Sequence, residues 1–309
     1  MKLKLFLRTI IFSFLAVIFT VGCSSAPKRT MLVTDTYTLA WSKLETANNC
    51  LLAGEVLKAR ALLSESYTLA QTIDNAPLLC KITLSGIVCK ILAEQQSTAL
   101  NQEQNAQNHT FMEESLDSLL KNARTFATIS EDKDFLLSLC SVYGVRIQLE
   151  DEKMSKTTLT QGNKNNLLST LNSAEKSVSK EPYYAGYLKR TQGDLLMNLK
   201  DYSSAEKAYL EAAALHTKNR YVYEIGLDYY SAARACSLGG DKTGAVEAIE
   251  NALKYDRDAE NSLALAADYL AYSKILLKGT PTAQETAMAK NLEDRSAQIY
   301  EAVKSLHEE

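Results

Sequence analysis

The hydrophobic positions between residues 40 and 309 follow a helical period and are interrupted by short polar turns such as KDYSS at 200–204. Apolar residues that recur every three or four positions form a stripe along one face of a helix, and that stripe is buried against another helix. The pattern therefore predicts about six antiparallel helical hairpins. A hydrophobic content of 46%, with only 12 Gly and 4 Pro, also favours an all-α protein over a β-rich one.

An internal repeat of side-chain sizes runs through these predicted hairpins. A small, small, large, small series occurs at 193–212 and again at 233–252, and a further copy begins at Ala47. The packing positions of the two clearest copies are Gly193, Ala205, Tyr209 and Ala212, then Ala233, Ala245, Ile249 and Ala252. Two helices cross closely only where one side chain is small. We therefore expect Gly193 to face Ala205, and Tyr209 to fill the wider gap towards the next hairpin.

The hairpins resemble tetratricopeptide repeats, which have a small residue in the middle of the first helix and an Ala-x-x-x-aromatic motif in the second. Gly193 matches the first feature, and Ala205 with Tyr209 matches the second. The clearest copies span residues 186–219 and 226–259. The resemblance implies a right-handed superhelical solenoid over this region, in which the first helix of each hairpin lines a concave groove.

The helix orientation of that family implies a set of groove residues on two neighbouring first helices. These residues are Tyr187, Arg190, Asp194, Asn198, Tyr230 and Arg234. Tyr and Arg are residue types that anchor interfaces, so the set is consistent with a protein or peptide partner in the groove. The same residues also fit the ordinary exposed positions of a helical face, and the sequence leaves both interpretations open.

The N-terminus has the order of a secretory signal peptide, with three basic residues ahead of an apolar run at 10–21. That run is shorter than the roughly 20 residues that a membrane-spanning helix needs. The TVGC ending resembles a bacterial lipobox, which implies removal of residues 1–22 and lipidation of Cys23. Residues 23–39 then form the lipidated N-terminus and a tether. The alternative is an ordinary cleaved signal with an incidental cysteine. We expect an exported protein of the bacterial cell envelope, lipid-anchored to the inner or outer membrane.

Little in the sequence points to catalysis, a cofactor or nucleic acid. The net charge of −3 provides no basic field that would attract a polyanion. His109, His216 and His307 are isolated from one another, so we expect exposed histidines and no metal site. The five cysteines after Cys23 lie inside apolar helical runs, which favours free buried thiols over a disulfide framework. The sequence contains neither a phosphate-binding glycine loop nor a G-x-S-x-G elbow.

These features predict a non-enzymatic lipoprotein that binds a protein or peptide in the groove of a helical-repeat domain, on the periplasmic or outer face of a membrane. The alternative is an accessory lipoprotein of a TRAP-type solute transporter, which binds a transporter component or a small apolar ligand. A mixture of Arg, Asp and Tyr in the groove favours the polypeptide, whereas a wholly apolar groove would favour the small ligand. The sequence identifies neither the partner nor the oligomeric state.

Overall fold

The structure is a computed structural model that describes residues 35–100, 113–155 and 159–307. These residues form twelve α-helices, and no strand occurs among them. In chain order the helices are α1 (Asp35–Leu52), α2 (Val56–Thr72), α3 (Ala76–Leu100), α4 (Leu116–Thr128), α5 (Lys133–Ser155), α6 (Gln161–Val178), α7 (Pro182–Asn198), α8 (Tyr202–Asn219), α9 (Val222–Gly239), α10 (Lys242–Asp258), α11 (Ser262–Leu276) and α12 (Ala283–His307). They pair in sequence order as six hairpins, which confirms the predicted all-α solenoid.

The later hairpins follow one another at a constant interval, which we call one repeat. Helices α7, α9 and α11 begin at positions 182, 222 and 262, and α8 and α10 begin at positions 202 and 242. Asp201 and Asp241 cap α8 and α10 at equivalent positions, where each carboxylate accepts a hydrogen bond from a backbone N–H of the first turn, at 3.2 and 2.9 Å. Arg220 and Gly240 end α8 and α9 in the left-handed conformation. Local sequence signals therefore set the hairpin boundaries in this part of the chain.

Gly193 of α7 packs against the aromatic ring of Tyr209 in α8, a contact that the sequence analysis did not predict. A Cβ atom added to Gly193 would lie 2.6 Å from Tyr209 Cε1, far inside van der Waals contact. The Tyr209 hydroxyl continues past this crossing and donates a hydrogen bond of 2.7 Å to Asp194 Oδ1. The prediction paired two small residues, whereas the atoms nearest to a side chain at position 193 belong to the Tyr209 ring, which therefore needs the glycine.

The other members of the size repeat lie in the core of the last three hairpins. Each is at most 2% exposed, and the set comprises Ala205, Tyr209, Ala212, Ala233, Ala245, Ile249 and Ala252. Small side chains at these positions let neighbouring helices approach closely, and the larger Tyr209 and Ile249 fill the space between them. The repeat of side-chain sizes is thus explained by the packing of neighbouring helices.

The described cysteines are all buried and free, in agreement with the sequence analysis; they are Cys50, Cys80, Cys89, Cys140 and Cys236. Two of them lie in α3, a strongly apolar helix. Its stretch Ala76–Gln95 is the one described segment that is long and apolar enough to cross a membrane, and 67% of it is buried. Burial between neighbouring helices accounts for this composition.

The first hairpin contacts the last two within the compact unit that begins at Thr36. Asn261, the N-cap of α11, donates a side-chain hydrogen bond of 3.2 Å to the backbone oxygen of Leu52, 209 residues earlier in the chain. Leu52 also borders a cavity together with Tyr223 and Leu227 of α9. The row of first helices therefore curves until its beginning meets its end.

The predicted tether is partly helical. Helix α1 begins at Asp35, so residues 35–39 belong to the first hairpin rather than to the tether of residues 23–39. The predicted signal peptide and Cys23 lie outside the described residues.

Candidate functional site

The first helices of five consecutive hairpins converge on a partly enclosed cavity of about 250 Å³, which we call the inner cavity. Its apolar lining comes largely from α1, α3 and α9 and includes Leu51, Val88 and Leu227. Its polar lining comes largely from α5, α7 and α9 and includes Arg146, Tyr187, Arg190 and Glu224. Because α1 and α9 both line it, this face is a partly enclosed cavity instead of the open groove that the resemblance implied.

Tyr187, one of the predicted groove residues, lines the inner cavity and stacks on Tyr143 of α5, with ring centroids 4.7 Å apart. Its hydroxyl oxygen is buried and has no hydrogen-bond partner. Burial raises the pKa of Tyr187 to about 12, against the opposing effect of Arg146 and Arg190. The hydroxyl therefore stays protonated, and it is available to hydrogen-bond a molecule in the cavity.

Arg190, which the sequence analysis assigned to an open groove wall, is only 6% exposed. Its Nε donates to Asp228 Oδ1 at 2.6 Å, and its Nη2 lies 2.5 Å from Glu224 Oε2. Burial opposes the charge of Arg190, but these two carboxylates outweigh it and raise the pKa of the guanidinium. Arg190 thus borders the inner cavity, but its N–H donors are bound to the carboxylates of α9. A buried guanidinium needs such a paired counter-charge.

His216 at the end of α8 is fully buried, which corrects the expectation of an exposed histidine. Its Nδ1 lies 2.5 Å from Asp228 Oδ2, and its Nε2 lies 3.3 Å from the backbone oxygen of Tyr183. A Cβ atom added to Gly186 would collide with the imidazole ring. Asp228 therefore holds Arg190 with one oxygen and His216 with the other, inside the junction of α7, α8 and α9.

Asp194 and Asn198, also predicted for the groove, make contacts with α5. Asp194 Oδ2 accepts a hydrogen bond of 2.5 Å from Arg146, and Asn198 donates one of 3.2 Å to Glu152. Arg146 in addition pairs with the buried Glu150 at 2.9 Å. These side chains join neighbouring hairpins, and only Arg146 among them borders the inner cavity.

The remaining predicted groove residues lie one hairpin further along. Arg234 is exposed on α9. Tyr230 lines a second cavity of about 190 Å³, which shares Leu52 and Leu227 with the inner cavity. Two buried carboxylic acids, Asp256 and Asp268, also line this cavity, so we call it the acid cavity.

The sequence reasoning missed Arg146, Glu224 and Asp228, although the last two carried a signal. They lie four residues apart and hence on one face of α9, with apolar neighbours such as Ile225. Two acids within a buried helical face require cations or protons from elsewhere in the fold. The partner cations are distant in sequence, which is why helical periodicity alone does not identify them.

The described residues contain no group of three or more His, Cys, Asp or Glu side chains that could hold a metal ion.

No protein-family model matches the chain, and no curated protein matches it. Among solved structures, the crystal structure of BtubC (BKLC) from P. vanneervenii is similar, with a TM-score of 0.53 and 13% identity over 88% of this chain and 93% of that chain. The apo form of RapI follows, with a TM-score of 0.45 and 14% identity over 84% of this chain and 76% of that chain. A Rap protein complexed with competence and sporulation factor has a TM-score of 0.36 and 18% identity, over 87% and 90%. The similarity to BtubC supports a tetratricopeptide-like helical-repeat fold.

Proposed function

We propose that this chain is a non-enzymatic, lipid-anchored scaffold that binds a polypeptide on the inner face of its helical repeats. The observation that carries the proposal is the convergence of five first helices on the inner cavity. A solenoid needs contacts only between adjacent hairpins for its stability. Side chains from five hairpins that meet at one cavity are therefore explained better by a ligand than by the packing of neighbours.

The chemistry of the inner cavity suits an anchoring side chain of a polypeptide. Its volume of about 250 Å³ lies below the roughly 300–1,000 Å³ of typical small-molecule sites. Leu51, Val88 and Leu227 offer apolar contact area, while the free Tyr187 hydroxyl offers a hydrogen bond to a backbone or side-chain polar group. An apolar or aromatic anchor with one polar atom satisfies both parts of this lining.

The membrane anchor in this proposal rests on the sequence of residues 1–23. The signal-peptide order and the TVGC ending support export and lipidation at Cys23. Loss of residues 1–22 removes three basic groups and no acidic one, so the remaining chain is more acidic. An acidic protein surface is repelled by anionic lipid, and the covalent lipid would therefore be the main attachment.

Site-specific photo-crosslinking in the intact, lipidated chain tests this function. A photoreactive residue replaces Leu227, which borders the inner cavity, and in a matched variant it replaces Leu57, which is 70% exposed on α2. We expect a discrete polypeptide adduct in bacterial membranes from position 227 and none from position 57. Equal adducts from both positions, or none at 227, would contradict binding in the inner cavity.

A second candidate is the transporter-accessory lipoprotein with a small apolar ligand. The partial enclosure of the inner cavity by α1 favours it, since an enclosed apolar space excludes water from a small molecule. Native mass spectrometry of the protein purified from its membranes separates the two functions. A small-molecule mass that is retained by the unmodified protein and lost in Val88→Trp, which fills the cavity, would favour this candidate.

A further inference from the structure

The fourth and fifth hairpins each place the same three positions around one buried carboxylate, but they differ in charge there. One repeat after Gly186 and Asp228 the chain has Gly226 and Asp268, so the glycine and the central aspartate are retained. The two groups that neutralise Asp228 are replaced. Arg190 and His216 become Tyr230 and Asp256.

This replacement removes both internal partners of the central aspartate. Asp228 is held by Arg190 at 2.6 Å and by His216 at 2.5 Å. At the equivalent place Asp268 faces a second carboxylic acid, Asp256, and a neutral phenol, Tyr230. In the first copy of the repeat, Arg190 therefore supplies the counter-charge of Asp228. In the second copy, no such cation lies beside Asp268 in the lining of the cavity.

The two acids are buried and leave polar atoms unsatisfied. Asp256 and Asp268 are each 1% exposed, and both oxygens of Asp256 and the Oδ2 of Asp268 have no hydrogen-bond partner. Gly226 leaves room for this arrangement, because a Cβ atom there would collide with the Asp256 carboxylate. A buried carboxylate without a partner is costly, so each such group requires a proton or an external cation.

The residues that line the acid cavity are of the types that bind an organic cation. Asp256 and Asp268 lie on its surface, Tyr223 and Tyr230 supply aromatic rings, and Leu52 supplies apolar contact. Aromatic rings attract ammonium groups through their negative faces, and apolar walls suit an attached alkyl chain. A hard metal ion instead needs six or more oxygen ligands or waters, for which two carboxylates in an apolar wall are a poor set.

We propose that the acid cavity binds a primary ammonium group, which takes the place that Arg190 and His216 occupy one hairpin earlier. The same chemistry is present in a free alkylamine and in the lysine side chain of a polypeptide. The proposal does not depend on the function proposed above, because it concerns a separate cavity. In either form the alkyl chain lies between the two tyrosines, and the ammonium group donates to the two aspartates.

Burial raises the pKa of Asp256 to about 7, and burial together with the neighbouring Asp256 raises that of Asp268 to about 9. The other titratable groups in the lining of the cavity are Tyr223 and Tyr230, and no lysine, arginine or histidine lines it. In the empty site Asp268 therefore holds a proton at neutral pH, and Asp256 holds one in part of the molecules. An incoming ammonium group displaces them, so its binding releases protons and strengthens as the pH rises towards about 9.

Calorimetric titration of the full chain with 1,4-diaminobutane, and separately with an N-acetyl-lysine amide, tests the site. We expect saturable binding with proton release, weakened at least about tenfold by Asp268→Asn, which keeps the shape and removes the charge. Binding of the diamine but not of the lysine amide assigns the site to free amines, and the reverse assigns it to polypeptides. Binding of neither probe at about pH 9, or equal binding by Asp268→Asn, overturns the proposal.

A second variant keeps the test informative if Asp268→Asn folds poorly. Tyr230→Arg combined with Asp256→His copies Arg190 and His216 of the fourth hairpin into the fifth, so the protein itself would give Asp268 a guanidinium partner. We expect this double variant to melt at or above the temperature of the unaltered protein and to lose amine binding. Retained amine binding in a folded double variant overturns the proposal, and so does tighter binding of calcium chloride than of either amine by the unaltered protein.

Discussion

The imidazole ring of His216 occupies the space that a side chain at Gly186 would fill. Gly186 is buried in α7, and a Cβ atom placed on it would overlap the Nε2, Cε1 and Cδ2 atoms of the ring. The ring cannot retreat, because its Nδ1 is fixed to Asp228 at 2.5 Å. One missing methyl group thus allows a fully buried histidine to reach its carboxylate partner.

We predict that Gly186→Ala destabilises the fold by about 1–3 kcal/mol, because the added methyl group forces the ring away from Asp228. Chemical denaturation with the melting temperature as a second readout measures the loss. Gly162→Ala is the matched control, since among the described residues the nearest atom to its added Cβ outside its own helix backbone is Thr160 Oγ1 at 3.9 Å. It should be neutral or stabilising, because Ala favours a helix over Gly. Equal losses in the two variants would contradict the packing described for His216.

A second prediction concerns the crossing of α7 and α8. The pair Gly193 and Tyr209 corresponds, one repeat later, to Ala233 and Ile249. Gly193→Ala alone should cost about 1–3 kcal/mol because its Cβ meets the tyrosine ring. Tyr209→Ile alone should cost about 2–4 kcal/mol through lost packing and the lost hydrogen bond to Asp194.

The double variant Gly193→Ala with Tyr209→Ile reproduces the pair of the next hairpin. We expect it to be more stable than the sum of the two single losses predicts, by about 1 kcal/mol or more, in a double-mutant cycle of unfolding free energies. Lys207→Leu, an exposed change on α8, provides the baseline and should be close to neutral. Strict additivity of the two changes would show that the residues do not share one packing site.

The sequence was sufficient to predict the hairpins, because close helix packing requires side chains of particular sizes at fixed intervals along the chain. Gly193, Ala205 and Tyr209 recur by size one repeat later, and helix caps such as Asp201 recur with them. The contacts themselves were harder to predict, since side-chain size alone does not say which neighbour fills a gap. Gly193 accordingly packs against the ring of Tyr209, which the size pattern had assigned to the gap towards the next hairpin.

The candidate site depends on contacts that local periodicity does not contain. The inner cavity is lined by both α1 and α9, and the hydrogen bond from Asn261 to the backbone of Leu52, 209 residues earlier, holds the end of α1 near this part of the chain. His216 is buried because of Gly186 and Asp228, which lie in two other helices. Average exposure by residue type predicted a surface histidine at His216, and the family resemblance implied an open groove wall at Arg190; long-range pairing of charges reversed both expectations.

The membrane attachment provides a third prediction. Cys23→Ala should abolish incorporation of a palmitate analogue and release the protein from membranes, because the proposed attachment is the covalent lipid. Cys50→Ala changes a buried cysteine of α1 and should retain both labelling and membrane fractionation. Fractionation and fluorography of the two variants measure the outcome. Unchanged labelling of Cys23→Ala would identify the chain as something other than a lipoprotein modified at that residue.

The acid cavity gives the stability of the ligand-free protein a distinct pH dependence. Asp256 and Asp268 have pKa values raised to about 7 and about 9 in the folded state, and both titrate near 4 once unfolded. Between about pH 4 and pH 9 the folded state therefore holds more protons than the unfolded state, and stability falls as the pH rises. Replacing both residues with Asn should flatten this part of the melting-temperature profile. A profile that keeps its slope in the double variant would place the titrating groups elsewhere.

The sharpest prediction compares the same substitution at two equivalent positions. Asp228→Asn removes the charge that holds Arg190 and His216, and leaves a buried guanidinium with one carboxylate fewer. We expect a loss of about 3–5 kcal/mol, because breaking a buried charge network strands the remaining partner. Asp268 has no cation beside it and must hold a proton in the folded protein at about pH 8, whereas it is ionised once unfolded; Asp268→Asn removes this cost and should raise the melting temperature of the ligand-free protein. Thermal unfolding of the two variants side by side measures whether each substitution lowers or raises the melting temperature. A loss of stability in both would mean that Asp268 is neutralised within the protein, and that the two hairpins do not differ in the way their charges imply.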